Sequence, residues 1–154
     1  MDGMRPEREA GPEVAKDGPS GVVVGFDGSG PSRDALAYAA GLARRNHSWL
    51  VVVYVTSTSV LASMSPEVLA AAYDASSEHR EQLERELHSI DETGVDWEFV
   101  HCQGDPAHEL ERVAEEWKAD NIVVGRSSSR THTLIGSVTI RLVRISRRPT
   151  IVVP

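Results

Sequence analysis

Five short apolar segments recur along the chain, and they set the pattern of its predicted strands. Residues 21–27 and 49–55 are almost continuously apolar, which is typical of strands buried on both faces of a sheet. Residues 95–102 alternate apolar and polar positions, as a half-exposed edge strand does. Short apolar runs at 122–124 and 150–153 complete the set. The pattern therefore predicts five strands.

Between these segments, helix-forming stretches begin at signals that combine a capping residue with proline. Pro31 follows Ser29 and Gly30, either of which suits the N-cap, and similar signals recur at 65–67 and 104–106. The predicted helices run from about residue 31 to 45, 65 to 92, 106 to 118 and 137 to 145. The second is the longest, and its predicted inner side consists of Val68, Leu69, Ala72, Leu83, Leu87 and Ile90.

Strands that alternate with helices predict an α/β fold. We expect a single Rossmann-like domain over residues 21–154, with a five-stranded parallel sheet and helices on both faces. Residues 1–20 mix charge with Pro and Gly and are expected to form a disordered N-terminal tail. In such folds a ligand sits at the carboxyl ends of the strands, where the winding direction reverses. Glycine-bearing turns follow the first strand (27–29) and the fourth strand (from 125), so both line one crevice if these strands are neighbours.

The stretch 121–137 combines the features of an anion-binding loop. A short apolar strand runs into Gly125, a loop rich in hydroxyls and arginine follows, and Gly136-Ser137 opens the last helix. Residues 125–154 carry six arginines and no acid, whereas residues 21–124 carry seven bases and eighteen acids. So small a basic patch on an acidic protein argues against nucleic-acid binding and favours a small phosphorylated ligand. The alternative is a solvated helix face that carries arginines.

Several classes of function have no support in the sequence. The longest apolar run is far shorter than the roughly 20 residues of a membrane span, and the first residues lack the apolar core of a secretory signal. The single cysteine, Cys102, is expected to be an inert strand residue in a protein of the reducing cytoplasm. There is no GxxxxGK[ST], GxGxxG or GxSxG motif, and the six histidines lack the spacing of metal ligands. We therefore expect neither an enzyme nor a metal site.

Several motifs, in order and spacing, resemble the universal stress protein family over residues 21–154. They are VVVGFDGSGPSRDAL, VVVYV, GDPAHEL and ADNIVVGRSS…GSVTIRLV…RRPTIVVP. The resemblance implies an adenine nucleotide alpha hydrolase-like Rossmann domain that acts in stress response and forms a homodimer through its last strand, 150–154. It also implies a site for ATP or another adenine nucleotide, with Mg²⁺ accompanying ATP. Residues Phe26, Asp27 and Val55 map to the adenine and ribose positions, and Gly28 and Ser29 lie in the same turn.

The implied phosphate loop departs from the family pattern G-x2-G-x9-G-[ST]. Gly125 matches the first glycine, and Gly136-Ser137, followed by Val138, matches the last pair. The middle glycine is Ser128, and the loop is two residues shorter than the pattern. Ser128 still offers a hydrogen bond, and Arg126 or Arg130 offers charge that glycine does not.

Three outcomes for this loop stay open: phosphates bound in a different way, a shorter ligand such as an adenosine monophosphate, or an empty site. The two function hypotheses are accordingly a regulatory protein that binds an adenine nucleotide and a dimeric interaction module of the same fold that binds none.

Overall fold

A computed structural model of the chain describes residues 21–57, 64–126 and 137–154. Five strands alternate with four α-helices in this part of the chain. The strands are β1 (Val22–Gly25), β2 (Leu50–Thr56), β3 (Trp97–Gln103), β4 (Asn121–Gly125) and β5 (Thr150–Val153). The helices are α1 (Gly30–Asn46), α2 (Pro66–Leu87), α3 (Pro106–Glu116) and α4 (Ser137–Ile145), and a 3-10 helix (His88–Thr93) follows α2.

The strands form one sheet in the order β3-β2-β1-β4-β5, and every neighbouring pair is parallel. The chain winds from β1 outward through β2 to β3 and then crosses back to β4 on the other side of β1. The winding direction therefore reverses between β1 and β4, where Val23 pairs with Ile122. The predicted α/β fold is confirmed, and the condition that the two glycine-bearing turns share one crevice is met.

Side chains of the central strands are buried on both faces of the sheet. Val22, Val24 and Val52 pack on the face covered by α1 and α2. Val23, Val51 and Ile122 pack on the face covered by α3 and α4. Because successive side chains of a strand point to opposite faces, a continuously apolar strand fills both cores. This explains why 21–27 and 49–55 read as unbroken apolar runs.

Side-chain capping contacts are present at two of the predicted helix starts, whereas Ser65, the N-cap residue of α2, makes none. The Ser29 hydroxyl accepts a hydrogen bond from the Ser32 backbone N–H at 3.3 Å, and it is the N-cap of α1. The Asp105 carboxylate accepts one from the His108 N–H at 3.1 Å at the start of α3. Both helices have proline in the first turn, where a missing N–H costs nothing.

The inner side predicted for the long helix is wrong over its first half. Val68 is 52% exposed, and within α2 only Leu83 and Leu87 are buried. The physical reason is length: 22 helical residues span about 33 Å, whereas the seven residues of β2 span about 23 Å. The helix therefore extends past the end of the sheet, and its amino-terminal half has no sheet beneath it. Its α-helical part also ends earlier than predicted, at Leu87.

Candidate functional site

A cavity of about 240 Å³ lies at the carboxyl ends of β1, β2 and β4, on the face covered by α3 and α4. It occupies the position that the reversal of strand order predicts for a ligand. Of the twelve residues predicted as a site, the cavity wall contains Phe26, Asp27, Ser29, Val55, Gly125, Arg126, Ser137 and Val138. The sequence therefore located this crevice from its turns.

Asp27 is the acidic group of the cavity wall. Its carboxylate accepts a hydrogen bond from the Ser29 backbone N–H at 2.9 Å, and its own N–H donates to the Ser32 hydroxyl at 3.4 Å. Partial burial raises the pKa of Asp27, but hydrogen bonds from Ser29 and Ser32 outweigh it and hold the pKa below the ordinary 3.8. Asp27 is therefore ionised at neutral pH, and the stability it contributes is lost only as the pH falls through that lowered pKa.

An apolar wall faces the same space. Val53 and Val55 extend from β2, Val124 from β4 and Leu110 from α3. Val53 and Val55 are two positions apart on one strand, so both side chains point to the α3 face. Such a surface suits the flat face of an aromatic ring, while the carboxylate at its rim suits hydroxyl or amino donors.

The opposite rim of the cavity is formed where β4 ends and α4 begins. The Arg126 side chain is exposed, and its backbone N–H donates to the Val153 carbonyl at 2.8 Å, which fixes the chain as it leaves β4. Ser137, Val138 and the buried Thr139 contribute the first turn of α4 to the wall. Backbone N–H groups in a first helical turn have no partner within the helix, and they attract anions.

An ion pair joins the two helices that border the cavity. Arg141 of α4 donates to the Asp105 carboxylate, which also caps α3. Arg148 is likewise paired, with Glu111 and Glu115. Residues 125–154 are therefore less cationic than their composition indicates. Asp105 offsets the charge of Arg141, and Glu111 and Glu115 offset that of Arg148.

Gly125 is a glycine because the backbone of α1 lies against it. A Cβ at this position would be 2.2 Å from the Pro31 carbonyl oxygen and 2.9 Å from the Ser32 nitrogen. Glycine is thus required here by the close approach of β4 to the start of α1. Gly25, in contrast, would place a Cβ 3.4 Å from the Leu110 side chain, which is ordinary contact.

Of the other four predicted site residues, the structure describes only Gly28. Gly28 adopts a positive φ of 83°, and a Cβ there would be 2.7 Å from Leu83 of α2, so this residue turns away from the cavity wall. Ser128, Arg130 and Gly136 lie outside the described residues.

Eight residues of the wall were not predicted. They are Gly25, Pro31, Ser32, Val53, Pro106, Leu110, Val124 and Thr139. Val53 was within reach of sequence reasoning, because it shares a strand face with Val55. The two residues from α3 required knowledge of which face that helix covers.

Other candidate groups are placed as follows. Cys102 is buried, burial raises the pKa of its thiol, and Arg112 donates to the sulfur at 3.4 Å. His132 lies outside the described residues. Within residues 21–57, 64–126 and 137–154, no three His, Cys, Asp or Glu side chains are arranged to hold a metal ion. In the same ranges no helix is both long and apolar enough to cross a bilayer.

Comparison with known proteins decides the family. The model of the universal stress protein family matches residues 21–154, a range that includes every described strand and helix. The chain belongs to the universal stress protein family. The resemblance of its motifs is thereby confirmed.

Relatives within the universal stress protein family share both sequence and fold with this chain. The universal stress protein YxiE of Bacillus subtilis is 29% identical over 143 residues, which cover 86% of this chain and 97% of YxiE. A solved universal stress protein from Burkholderia pseudomallei is 33% identical, with a TM-score of 0.68, over 88% of this chain and 96% of that one. A universal stress protein solved in complex with cAMP is 27% identical, with a TM-score of 0.59, over 88% of this chain and 97% of that one.

Proposed function

We propose that this universal stress protein is a regulatory protein that binds an adenine nucleotide, ATP or a related one, as part of a stress response in the cytoplasm. The observation that carries the proposal is the cavity between β1 and β4, which has an apolar wall, an ionised carboxylate at one rim and a helix start with Arg126 at the other. Base, ribose and phosphate need these three environments in this order. A family member solved with cAMP supports the same class of ligand.

Each wall residue has a role in this proposal. Val55 and the backbone of Phe26 contact the adenine, since the Phe26 side chain is buried in the core of the other face. Asp27 accepts hydrogen bonds from the ribose hydroxyls, and Ser29 holds its carboxylate in place. Gly28 shapes that turn.

The phosphates lie at the β4–α4 rim. Gly125, Arg126, Ser137 and Val138 provide backbone N–H groups and charge there. Ser128, Arg130 and Gly136 belong to the same proposed loop, and Mg²⁺ accompanies ATP.

A regulatory role is favoured over a catalytic one by the composition of the cavity wall. None of its described residues is a histidine, and its acidic group, Asp27, is held by Ser29 and Ser32. A hydrolytic reaction needs a base that positions water, and the described wall offers Asp27 alone for that role.

Calorimetric titration tests the proposal with ATP, AMP and cAMP. We expect wild type to bind at least one of the three at micromolar to millimolar concentration. Asp27→Ala should weaken binding roughly tenfold or more, because ribose loses a charge-assisted partner. Asp34→Ala, which changes an acid on α1 that does not line the cavity, is the matched control and should bind as wild type does. No detectable heat of binding for any of the three nucleotides, up to millimolar concentration, would contradict the proposal.

We also propose that the chain forms a homodimer through β5. This strand is at the edge of the sheet, and its ladder to β4 uses the carbonyls of Pro149 and Val153. Since alternate residues of a strand present their backbone groups to opposite sides, Thr150 and Val152 present theirs to the open edge. An unpaired edge of this kind is a template for a second chain, and the Val152 side chain beside it is 37% exposed.

Val152→Pro is expected to convert the dimer to a monomer. Proline removes the outward N–H of Val152 without removing a hydrogen bond to β4, so the fold itself should persist. Light scattering coupled to size exclusion should show a mass near 16.8 kDa for the variant and twice that for wild type. Val152→Thr, which keeps the N–H, should stay dimeric. A Val152→Pro dimer would show that the subunits meet elsewhere.

The alternative function is a dimeric interaction module that binds no nucleotide. One observation favours it: the outward side of α4 carries Ile140 and Val143, which are 36% and 59% exposed, next to the exposed Arg144 and Arg147. Neither arginine side chain is paired within the described residues. Apolar anchors flanked by arginines suit an acidic amphipathic partner. If this alternative holds, a correctly folded dimer shows no heat of nucleotide binding in the calorimetric titration. The nucleotide proposal expects a measurable heat of binding.

A further inference from the structure

A cluster of aromatic and imidazole rings lies on the face of the sheet opposite to the cavity. The His101 ring stacks on Tyr54, with centroids 5.3 Å apart and planes inclined by 19°. The His79 ring of α2 also contacts Tyr54, edge to face, with centroids 5.7 Å apart and planes inclined by 73°. The cluster therefore joins β3, β2 and α2 at the carboxyl end of the sheet.

The surroundings of His101 favour its uncharged form. Its Nε2 lies 2.8 Å from the Thr56 hydroxyl, which serves a neutral imidazole as donor or acceptor. Burial, and then the positive charge of Arg80, lower the pKa of His101 below the ordinary 6.5.

The groups that face His101 include no acid among the described residues. Arg80 faces it from α2, Tyr54 and Thr56 face it from β2, and His79 of α2 contacts Tyr54. In the described ranges no carboxylate forms a hydrogen bond or ion pair with either His101 or Arg80. A protonated His101 would therefore lie next to a second cation with no anion to offset the two.

The rest of α2 is attached mainly at its carboxyl-terminal half. Leu83 and Leu87 are its buried residues, and Glu86 pairs with Arg33 of α1 at 2.5 Å. Before Leu83 in the chain, the His79 ring contacts Tyr54 of β2. The helix around His79 thus contacts the sheet at the His101 cluster.

This attachment lies next to the turn that carries Asp27. Leu83 covers Gly28, and the His79 ring approaches the same glycine, since a Cβ there would be 3.9 Å from His79 Cε1. A movement of α2 at residues 79–83 therefore removes the cover of the 27–29 turn.

We propose that the His101 cluster is a pH-sensitive latch, in which protonation of His101 releases α2 around residues 79–83 from the sheet and uncovers the turn at Gly28. The neutral imidazole stacks on Tyr54 and tolerates Arg80, whereas the imidazolium is repelled by Arg80 and is poorly solvated. The latch is closed at neutral pH and opens as the medium becomes acidic. It depends on the fold alone and holds whether or not a nucleotide binds.

The direction of the pH dependence follows from proton linkage. The closed state binds the proton on His101 less readily than an exposed imidazole does, so the open state takes up the proton as the pH falls. The closed state therefore becomes less stable relative to the open state as the pH falls below the ordinary histidine pKa of about 6.5. Above that pH the closed state keeps its full stability.

Hydrogen–deuterium exchange of residues 76–83 at pH 7.5 and pH 5.0 tests the latch on the full chain, without nucleotide. After correction for intrinsic exchange rates, protection of this segment in wild type should fall roughly tenfold at pH 5.0, because opening is coupled to protonation of His101. His101→Gln, which keeps a polar group near Thr56 and does not titrate, should show the same protection at both pH values. His108→Gln, which changes an exposed histidine on α3, is the matched control and should respond as wild type does.

Two results would overturn the latch. One is unchanged wild-type protection between the two pH values, and the other is a wild-type response in His101→Gln. If His101→Gln does not fold, the NMR titration of the His101 ring in wild type replaces it, and its midpoint must coincide with the loss of protection. A midpoint displaced from the opening transition contradicts the proposal.

Discussion

Gly125→Ala is expected to destabilise the protein by about 4 kcal/mol or more, at the upper end of single substitutions. The added methyl would lie 2.2 Å from the Pro31 carbonyl oxygen and 2.4 Å from its carbon, and both atoms are backbone. No side-chain rotation relieves this contact, so either the start of α1 or the end of β4 must move. Because β4 and α1 both border the cavity, the displacement also disturbs the site. Thermal unfolding should show a midpoint roughly 10 °C or more below that of wild type.

Gly25→Ala is the matched control for this prediction. Gly25 ends β1, next to β4 in the sheet, but its methyl would contact only side-chain atoms, at 3.4 Å or more. We expect its unfolding midpoint to stay within a few degrees of wild type. If Gly125→Ala and Gly25→Ala had the same unfolding midpoint, α1 would not lie against β4 as described.

The second large effect is expected at the opposite end of the sheet, where Arg148 connects α3 to the start of β5. Its Nε donates to the Ala119 carbonyl at 2.8 Å, and its Nη1 donates to Glu111 at 3.0 Å. Glu111 also accepts from the Ser146 hydroxyl at 2.9 Å. The side chains of Arg148 and Glu111 are only 14% and 17% exposed. This network fixes where the chain turns from α4 into the last strand.

Arg148→Ala is expected to lower the free energy of unfolding by about 3 kcal/mol, because it leaves a largely buried carboxylate without its cation. Arg112→Ala is the comparison: its pairs with Glu109 and Glu116 involve an arginine that is 53% exposed, and its loss should cost about 1 kcal/mol or less. The double variant Arg148→Met with Glu111→Met should recover most of the loss, because both charges are removed together. Urea denaturation measures all three. Equal losses for Arg148→Ala and Arg112→Ala would contradict the network's role.

The strands and helix starts could be predicted because their signals are local. Buried parallel strands need apolar side chains on both faces, which is visible at 49–55, and helix starts need the caps found at Ser29 and Asp105. The crevice followed from two turns and the rule for reversed winding. These features arise from short stretches of chain whose preference for a strand, a helix start or a turn is local.

The remaining features depend on contacts between distant residues. The apolar positions of α2 near Val68 fit a helical period, but nothing local reveals that the sheet ends before the helix does. Arg148 and Glu111 are 37 positions apart in the chain, so their pairing is not visible in the sequence. The composition therefore counts Arg148 as a free cation, although Glu111 offsets its charge in the fold. The contact that requires glycine at position 125 is with Pro31, which is 94 positions away. Leu110 was not predicted for the cavity wall because its position there depends on which face of the sheet α3 covers.

The central claim is that an adenine nucleotide binds between β1 and β4 on the α3 and α4 face. The most direct test is a titration of the ¹⁵N-labelled protein with AMP, ATP and cAMP, followed by two-dimensional amide NMR. We predict saturable shifts of the Asp27, Arg126, Ser137 and Val138 amides, and no shift at Gly94 or Trp97 at the far end of the sheet. Absence of shifts at millimolar nucleotide, or shifts confined to α2 or the β5 edge, would contradict the claim.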